Sequence, residues 1–478
     1  MNIFFGTDGW RALLDSEMND GTVATVAQAF AGYIQEIGAG KAKVAVAYDS
    51  RRCSAEFARL IARVLAGNGV LVLLADRVTP TPVLSYTVLH EKCTAGVMVT
   101  ASHNPPQYNG VKFKAAYGGP FCLEQTRAVE ELLYAQEPVT TEEDVPEVNL
   151  FPAYIAHIES LVNWDAIRRS GVRVLVDSMG GAGGTLVADL LRAHGCLADT
   201  IFSEPSETFY GRLAEPIAKN LVPLRDALRD AGPDSARDGG YSLGVATDGD
   251  ADRLGVCLES GEFLSAQMTI LMLVDYLKRV RGEQGSIVHT SSVTGRLREH
   301  FLNVDTAVHD VQVGFKYITD VMVRERVCFG GEESGGFGYA MHIPERDGIF
   351  SALLFTEMLA VSGFRRLSEY EEDRRKTLGE IHYDRIDHIT DDPLRLERLP
   401  ALSESVPIAI AGINVVQVQR FLSSRGVVNG LKFILEGECR WLLIRASETE
   451  PMFRFYAEGR DDAQVQTLLQ AGLEMVSQ

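Results

Sequence analysis

The sequence predicts a multidomain α/β protein that ends in a smaller α+β unit, and three observations predict it. At 478 residues the chain exceeds what one hydrophobic core spans, and at about 100–200 residues per domain it divides into about three or four. A β-branched run, a polar or glycine-rich loop and a stretch of helical periodicity recur in that order, as in strands alternating with helices over parallel or mixed sheets. Toward the C-terminus this gives way to two strands around a polar turn and one amphipathic helix.

In chain order, KVAVAYDSR (43–51) reads as a strand and SAEFARLIARVLAGNG (54–69) as a helix, with Ser54 as N-cap and Gly67 or Gly69 as stop. AGVMVT (95–100) is a buried strand, and Pro105-Pro106 forbids an immediate helix after it. VRVLVDSMGGAGG (172–184) leads into the helical TLVADLLRAHG (185–195), and a third such unit begins at GSIVHTSSVTG (285–295). RWLLIRASETEPMFRFYAEG (440–459) supplies the closing pair of strands and AQVQTLLQAGLEMV (463–476) the last helix. Boundaries near 150, 260 and 370 divide the chain into 1–150, 151–260, 261–369 and 370–478. In such units ligands gather at loops leaving the carboxyl ends of strands, which is where the polar clusters lie.

Composition narrows the function classes. With 46% apolar and 23% charged residues, the chain has the make-up of a folded protein without long disordered tracts. A formal charge of -19 argues against a nucleic-acid partner, because phosphate backbones are held by net positive surfaces. Small anions stay open to it, since a few convergent Arg and Lys side chains suffice. The seven scattered cysteines form no CxxC pair, which favours reduced thiols and a cytoplasmic protein. No signal-like start and no uncharged run of membrane-spanning length is present, so no membrane partner is expected.

The acidic loop VATDGDADRLGV (245–256) sets Asp248, Asp250 and Asp252 at alternate positions after a strand. Three carboxylates that close repel one another unless a cation sits among them, and all-oxygen ligation suits a hard ion such as Mg2+. A solvated acidic turn is the plainer alternative. An EF-hand loop also opens D-x-D-x-D and closes on a Glu, here Glu259, but it needs glycine where this chain has Arg253.

TASHNP (100–105) puts Ser102 and His103 on the loop leaving AGVMVT. Adjacent residues on an extended loop point apart, which separates His103 from Ser102, and no G-x-S-x-G elbow surrounds the serine. A covalent serine intermediate then needs other activation, such as magnesium with basic groups, which suits phosphoryl transfer; the alternative is a structural loop. GGEESGG (330–336) offers short acceptors for sugar hydroxyls, or only a polar turn. RASETEP (445–451) with Arg454 brings two guanidinium groups and two hydroxyls to one turn, fitting a phosphate clamp or a charged hairpin. MGGAGG (179–184) lacks the G-K-[ST] ending of a P-loop.

Taken in order, FGTDGWR (5–11), TASHNP (100–105), NGVKF (109–113), DGDADR (248–253), GEES (331–334) and RASETEP (445–451) resemble the α-D-phosphohexomutase family of phosphoglucomutases and phosphomannomutases. The resemblance runs nearly the whole chain. It implies three similar α/β domains with mixed sheets plus a smaller C-terminal α+β domain around a central cleft. The activity it implies is intramolecular phosphotransfer between hexose 1-phosphate and hexose 6-phosphate. It further implies a phosphoserine at Ser102, Mg2+ held by that group with Asp248, Asp250 and Asp252, and glucose 1,6-bisphosphate as activator and bound intermediate. By the same resemblance Arg11 and Lys112 lie beside the phosphoserine, Lys112 as general acid or base, and His103 shapes the site. Arg253 contacts substrate and Lys316 is a further contact. Glu332 and Ser334 meet the sugar hydroxyls, and Arg445, Ser447, Thr449 and Arg454 hold the non-reacting phosphate.

The chain departs from the family pattern at Glu448, where a small residue is common. A carboxylate there repels a phosphate unless it points outward. The GEESGG loop is closest to glucose-type members, so glucose is the expected sugar and mannose the second. The expected partner is a small phosphosugar, and the expected assembly a monomer or homodimer. Rival readings are a hexose-1,6-bisphosphate synthase on the same serine, a catalytically silent phosphosugar binder, and a metal-dependent phosphatase with Asp248 as nucleophile.

Overall fold

The computed structural model describes residues 3–6, 9–38, 42–232, 240–392, 394–423, 426–447 and 451–477. Among these, four sheets follow one another along the chain. The first holds β1 (Trp10–Leu13), β2 (Lys43–Tyr48), β3 (Leu71–Ala75), β4 (Ala95–Val99), β5 (Tyr108–Ala115) and β6 (Glu147–Val148), in the order β1-β5-β4-β2-β3-β6. The second holds β7 (Arg173–Asp177), β8 (Leu197–Ile201), β9 (Leu243–Thr247), β10 (Leu254–Leu258) and β11 (Phe263–Leu264), in the order β11-β10-β9-β7-β8. The third holds β12 (Ser286–Thr290), β13 (Val308–Val311), β14 (Val327–Gly331) and β15 (Phe337–Tyr339), in the order β13-β12-β14-β15. The fourth holds β16 (His382–Ile389), β17 (Ala409–Ile410), β18 (Ile413–Leu422), β19 (Val428–Leu435), β20 (Trp441–Ala446) and β21 (Met452–Gly459), in the order β16-β21-β20-β19-β18-β17.

The first three sheets share one plan. A central strand lies between two parallel neighbours: β2 between β3 and β4, β7 between β8 and β9, β12 between β13 and β14. One neighbour then turns back into an antiparallel partner, giving the hairpins β4–β5, β9–β10 and β14–β15. Their connections are residues 100–107, 248–253 and 332–336, which hold the TASHNP and DGDADR motifs and, from Glu332, the GEES motif. The fourth sheet is antiparallel throughout, and its β20–β21 hairpin carries residues 447–451. Four of the six motifs thus occupy hairpin connections, while NGVKF lies within β5 and FGTDGWR runs into β1.

Sequence explains the frame. β2 (KVAVAY) and β4 (AGVMV) are buried on both faces, as strands covered by helices on each side must be, and so read as continuous apolar runs. The helix Ser54–Gly67 buries Phe57, Ala58, Ile61, Ala62, Val64 and Leu65, a stripe at helical spacing. Each large aliphatic there contributes about 1.5–3 kcal/mol of burial. Gly69, at φ +77°, supplies the left-handed turn after that helix. Ser54 is the helix's first residue and not its cap: Cys53 precedes it, and Ser54 Oγ donates to the buried Asp49 Oδ1 at 2.8 Å. Ser54 Oγ also accepts from Asn109 Nδ2 at 2.9 Å, so the hydroxyl serves this buried network and not the helix N–H groups.

One continuous apolar core runs from Phe5 to Leu378, while the C-terminal sheet and its helices close around a separate core from Leu399 to Val476. All seven cysteines are free. Among the described residues no single helix is long and apolar enough to cross a membrane. The very apolar helix Gly348–Ser362 is almost wholly buried in the core.

Candidate active site

The serine loop hangs on one buried arginine. Arg51, three residues past β2, donates from NH1 to the carbonyls of Pro105 (2.9 Å) and Tyr108 (3.0 Å), and from NH2 to those of Ser102 (2.6 Å) and Asn104 (2.6 Å). Its Nε faces Asp49 at 3.2 Å. Thr100 Oγ1 donates to Asp49 at 2.5 Å and accepts from the Ser102 N–H at 2.8 Å. Sequence reasoning missed Arg51; the only signal was the D-S-R run just after β2.

This cradle bends Ser102 into the left-handed region, φ 52°, which a non-glycine residue keeps only when its surroundings over-determine it. The bend overturns the expectation that Ser102 and His103 point apart. Ser102 Oγ lies 3.4 Å from His103 Nδ1 and donates to Asp248 Oδ2 at 3.1 Å. Lost hydration, with Arg253, Arg11, Lys112 and Arg454 around it, pushes the His103 pKa well down, so the ring beside the serine is neutral. Arg11, on β1, reaches the same loop through NH1 to Asn104 Oδ1 at 2.6 Å. Thr7 and Asp8 of the FGTDGWR stretch lie outside the described residues.

The acidic loop meets the serine loop backbone to backbone at Gly249, where a Cβ would stand 2.5 Å from the Ser102 carbonyl oxygen. The discounted MGGAGG run serves the same closeness: the Ala182 N–H donates to Gly249 O at 2.9 Å, and a Cβ on Gly181 would be 2.7 Å from Asp248 O. Asp248 Oδ1 accepts from the N–H groups of Asp252 (2.9 Å) and Arg253 (3.2 Å). Asp250 Oδ2 accepts from Thr81 Oγ1 (2.7 Å) and from the buried Lys112 Nζ (2.9 Å). Asp252 Oδ2 pairs with Arg346 NH2 at 2.7 Å and with Lys112 Nζ at 3.4 Å.

One oxygen from each aspartate lies within 4.8 Å of the other two, and all three residues are fully buried. Burial, then repulsion from Asp252 and Asp250, pushes the Asp248 pKa well up. For Asp250 burial is outweighed by Lys112, the Thr81 hydroxyl and Arg346, and the pKa falls. Asp250 Oδ1 and Asp252 Oδ1 are buried without a hydrogen-bond partner among the described residues. Orphaned carboxylate oxygens converging in a buried site fit a hard divalent cation, which would answer them and relieve their repulsion.

The GEES loop, the expected sugar contact, joins this group through Arg346, whose NH1 lies 3.4 Å from Glu332 Oε2. Arg253 bridges to Gly336 in the same loop, with its Nε 3.8 Å from Asp248 Oδ2 and 3.8 Å from Asp252 Oδ1. Ser334 is half-buried and lines a small cavity with Glu333. Arg346 belongs to IPERDG (343–348), a second segment that sequence reasoning missed. There Glu345 pairs with the buried Lys114, and the Gly348 N–H donates to Ala251 O at 3.1 Å. Lys316, in the first turn of the helix Phe315–Met322, holds its ammonium 5.2 Å from the Tyr317 ring and acts on the charges of Glu124 and Asp320.

On the fourth sheet Arg445 and Arg454 are direct cross-strand partners, and Arg454 faces Asp387 of β16 on its other side. Like charges directly opposite repel, so the row favours an anion between the guanidiniums. Asp387 Oδ1 stands 3.8 Å from Arg454 Nε. The Ser447 N–H donates to Met452 O at 3.0 Å across the turn, while Glu448 and Thr449 lie outside the described residues. The structure therefore gathers Ser102, His103, Lys112, Arg11, Arg253 and the three aspartates directly, and Glu332 through Arg346. Arg454 reaches them through its charge on His103.

Family models described as phosphoglucomutase/phosphomannomutase alpha/beta/alpha domains I, II and III match residues 2–139, 152–261 and 265–378, and that of the C-terminal domain matches 404–474. A phosphoglucomutase/phosphomannomutase of Thermococcus kodakarensis is 26% identical over 487 residues, covering 100% of this chain and 99% of its own. A phosphoglucosamine mutase of Methanocaldococcus jannaschii is 27% identical over 425 residues, covering 88% of each. The crystal structure of a candidate phosphomannomutase from Thermus thermophilus superposes with a TM-score of 0.84 at 34% identity, covering 100% of both chains.

Proposed function

The chain belongs to the phosphoglucomutase/phosphomannomutase family of phosphohexomutases, and from that premise we propose that it interconverts hexose 1-phosphate and hexose 6-phosphate through a phosphoryl group carried on Ser102, with glucose preferred. The observation that carries this reading is the approach of Ser102 Oγ to Asp248 Oδ2, 3.1 Å across two loops, beside a buried lysine.

In the first transfer the P–O bond to Ser102 Oγ breaks while the free hydroxyl oxygen of the sugar bonds to phosphorus. The hydroxyl gives up its proton and Ser102 Oγ regains one. Lys112 exchanges protons at the reacting oxygens, and neutral His103 orients Ser102 Oγ. The resulting 1,6-bisphosphate turns over in the cleft and returns its other phosphoryl group to Ser102, restoring the phosphoserine. Mg2+, held by Asp248, Asp250, Asp252 and an oxygen of the phosphoserine, would neutralise charge on the phosphoryl oxygens.

Arg11 and Arg253 hold the phosphoryl group and the substrate, with Lys316 as a further contact. Glu332 and Ser334 accept the sugar hydroxyls. Arg445, Ser447, Thr449 and Arg454 clamp the phosphate that does not react, which relieves the repulsion between the two facing arginines. Because the sugar binds in two orientations, the clamp and the serine stay fixed while the sugar turns.

Glucose is supported by the GEESGG loop. The phosphoglucosamine mutase among the relatives favours a second reading in which glucosamine phosphate is the substrate. Turnover with Mg2+ and a trace of glucose 1,6-bisphosphate, measured on glucose, mannose and glucosamine phosphates, separates the two. We expect glucose to be fastest and Ser102→Ala to lower kcat by about 10^4-fold or more. Fastest turnover of glucosamine phosphate would replace glucose, and no turnover of any sugar by folded, phosphorylated protein would contradict the mutase.

A further inference from the structure

A chain of ion pairs runs from the sugar loop into the C-terminal sheet. Arg385 of β16 donates from NH1 to Glu333 Oε1 at 3.1 Å and holds Asp387 in a fork, Nε at 2.8 Å and NH2 at 2.6 Å. Asp387 in turn faces Arg454 at 3.8 Å. Glu333 sits between Glu332 and Ser334, so the sugar-recognition and phosphate-recognition elements are the two ends of this chain. Charge alternates along it. The Arg385 guanidinium also lies 5.8 Å from the Tyr456 ring centre, which fixes its plane. With side chains 28% and 13% exposed, the Arg385–Glu333 pair is less screened than a surface pair.

Beside this pair, the loop and β16 line a common cavity through Glu333 and Tyr383. Its volume is about 150 Å³, and Pro216, Phe263, Gln267 and Ser334 line it too. The C-terminal sheet also keeps its own apolar core, apart from the core of the first three sheets. Elsewhere the sheet is tied to the residues of the third sheet's unit by Lys432 to Asp310 at 2.9 Å, by Glu458 accepting from Thr294 and Gly295, and by Trp441, Leu443 and Tyr456 packed with Val313, so the Arg385–Glu333 pair sets where the loop sits on a sheet that is otherwise docked.

We propose that Arg385 is a positioning residue that latches the C-terminal sheet to the sugar loop and so keeps the 1,6-bisphosphate on the enzyme between the two transfers; the inference rests on the phosphoserine mutase reading. A phosphate seated on Arg454 draws that guanidinium away from Asp387. Arg385 then retains Asp387 on one side and the loop, through Glu333, on the other. Without Arg385, Asp387 turns to Arg454 and competes with the phosphate, and Glu333 loses its link to the sheet. If the bisphosphate leaves at that point, Ser102 stays a plain hydroxyl until another bisphosphate reloads it. Retention therefore separates a mutase from a bisphosphate synthase.

The test loads Ser102 with labelled phosphate from glucose 1,6-bisphosphate and chases with excess unlabelled glucose 1-phosphate. Retained turnover sends the label into glucose 6-phosphate; escape sends it into free bisphosphate. In Arg385→Ala the bisphosphate share should rise about fivefold or more, while label leaves the protein at the wild-type rate. Arg385→Lys should restore part of the retention, and Glu333→Gln should raise escape on its own, with the double variant Glu333→Gln/Arg385→Ala short of the summed effects. An unchanged share in Arg385→Ala and Glu333→Gln, both folded by thermal melt, would overturn the latch and leave the mutase reading standing. Label that never leaves wild-type protein for glucose, mannose or glucosamine phosphate would overturn both.

Discussion

Four carbonyl oxygens around the Ser102 turn depend on the single guanidinium of Arg51. Removing it leaves Asp49 buried without its cation, and Arg51→Met should destabilise the protein by about 3–5 kcal/mol, read as a lower denaturant midpoint. Arg51→Lys keeps the charge but loses the fork. It should retain most of that stability yet lower kcat by about 100-fold, because the proposed phosphoryl carrier Ser102 is no longer held in place. Equal kcat in Arg51→Lys and wild type would show that the cradle does not position the serine. The TASHNP motif was legible in the sequence because it is contiguous. Arg51 was not, because 51 residues separate it from Ser102 and only the parallel pairing of β2 with β4 brings them together.

The elements assigned to the proposed chemistry are hairpin tips on equivalent strands, and their mutual approach depends on glycine. Gly249→Ala places a methyl group against the Ser102 carbonyl, at 2.5 Å if nothing moves. One of the two loops must shift, and kcat should fall about 100-fold with a smaller loss of thermal stability. Steady-state kinetics beside a thermal melt checks this, and wild-type kcat would show that the loops adjust freely. That the motifs lie on loops after strands was legible from their apolar run-ups. Their shared hairpin plan was not, since pairing partners are set by long-range contacts that no local period records. The Ser102 bend escaped for a related reason: the extended reading of TASHNP had no knowledge of Arg51 pulling on four carbonyls.

At the scale of the molecule, a polar seam ties the first three sheets. Tyr86 stacks on His157 at 4.6 Å; His157 Nε2 meets His342 Nδ1 at 3.0 Å; His342 Nε2 and the Tyr154 hydroxyl reach Asp347 Oδ2 at 2.8 and 2.7 Å. Asp347 caps the core helix Gly348–Ser362 through the Phe350 N–H at 2.8 Å. Burial, with His342 beside it, pushes the His157 pKa down to about 4, against about 6.5 when unfolded. A depressed pKa contributes stability that is present above the unfolded value and is lost as pH falls through the folded one. Tm should therefore drop between about pH 6.5 and 4, and less steeply in His157→Gln; parallel melting profiles would remove His157 from that loss. Nothing in the sequence joins residues 86, 157 and 342, whereas the order of the six motifs made the family and its four-part plan legible.

Peptide mass mapping after incubation with glucose 1,6-bisphosphate and Mg2+ asks whether Ser102 takes up the phosphoryl group. The peptide containing Ser102 should gain one phosphoryl group, removed by a chase of glucose 1-phosphate as fast as the enzyme turns over. A phosphoryl group on another residue, or one on Ser102 that the chase leaves in place, would contradict the phosphoserine mutase.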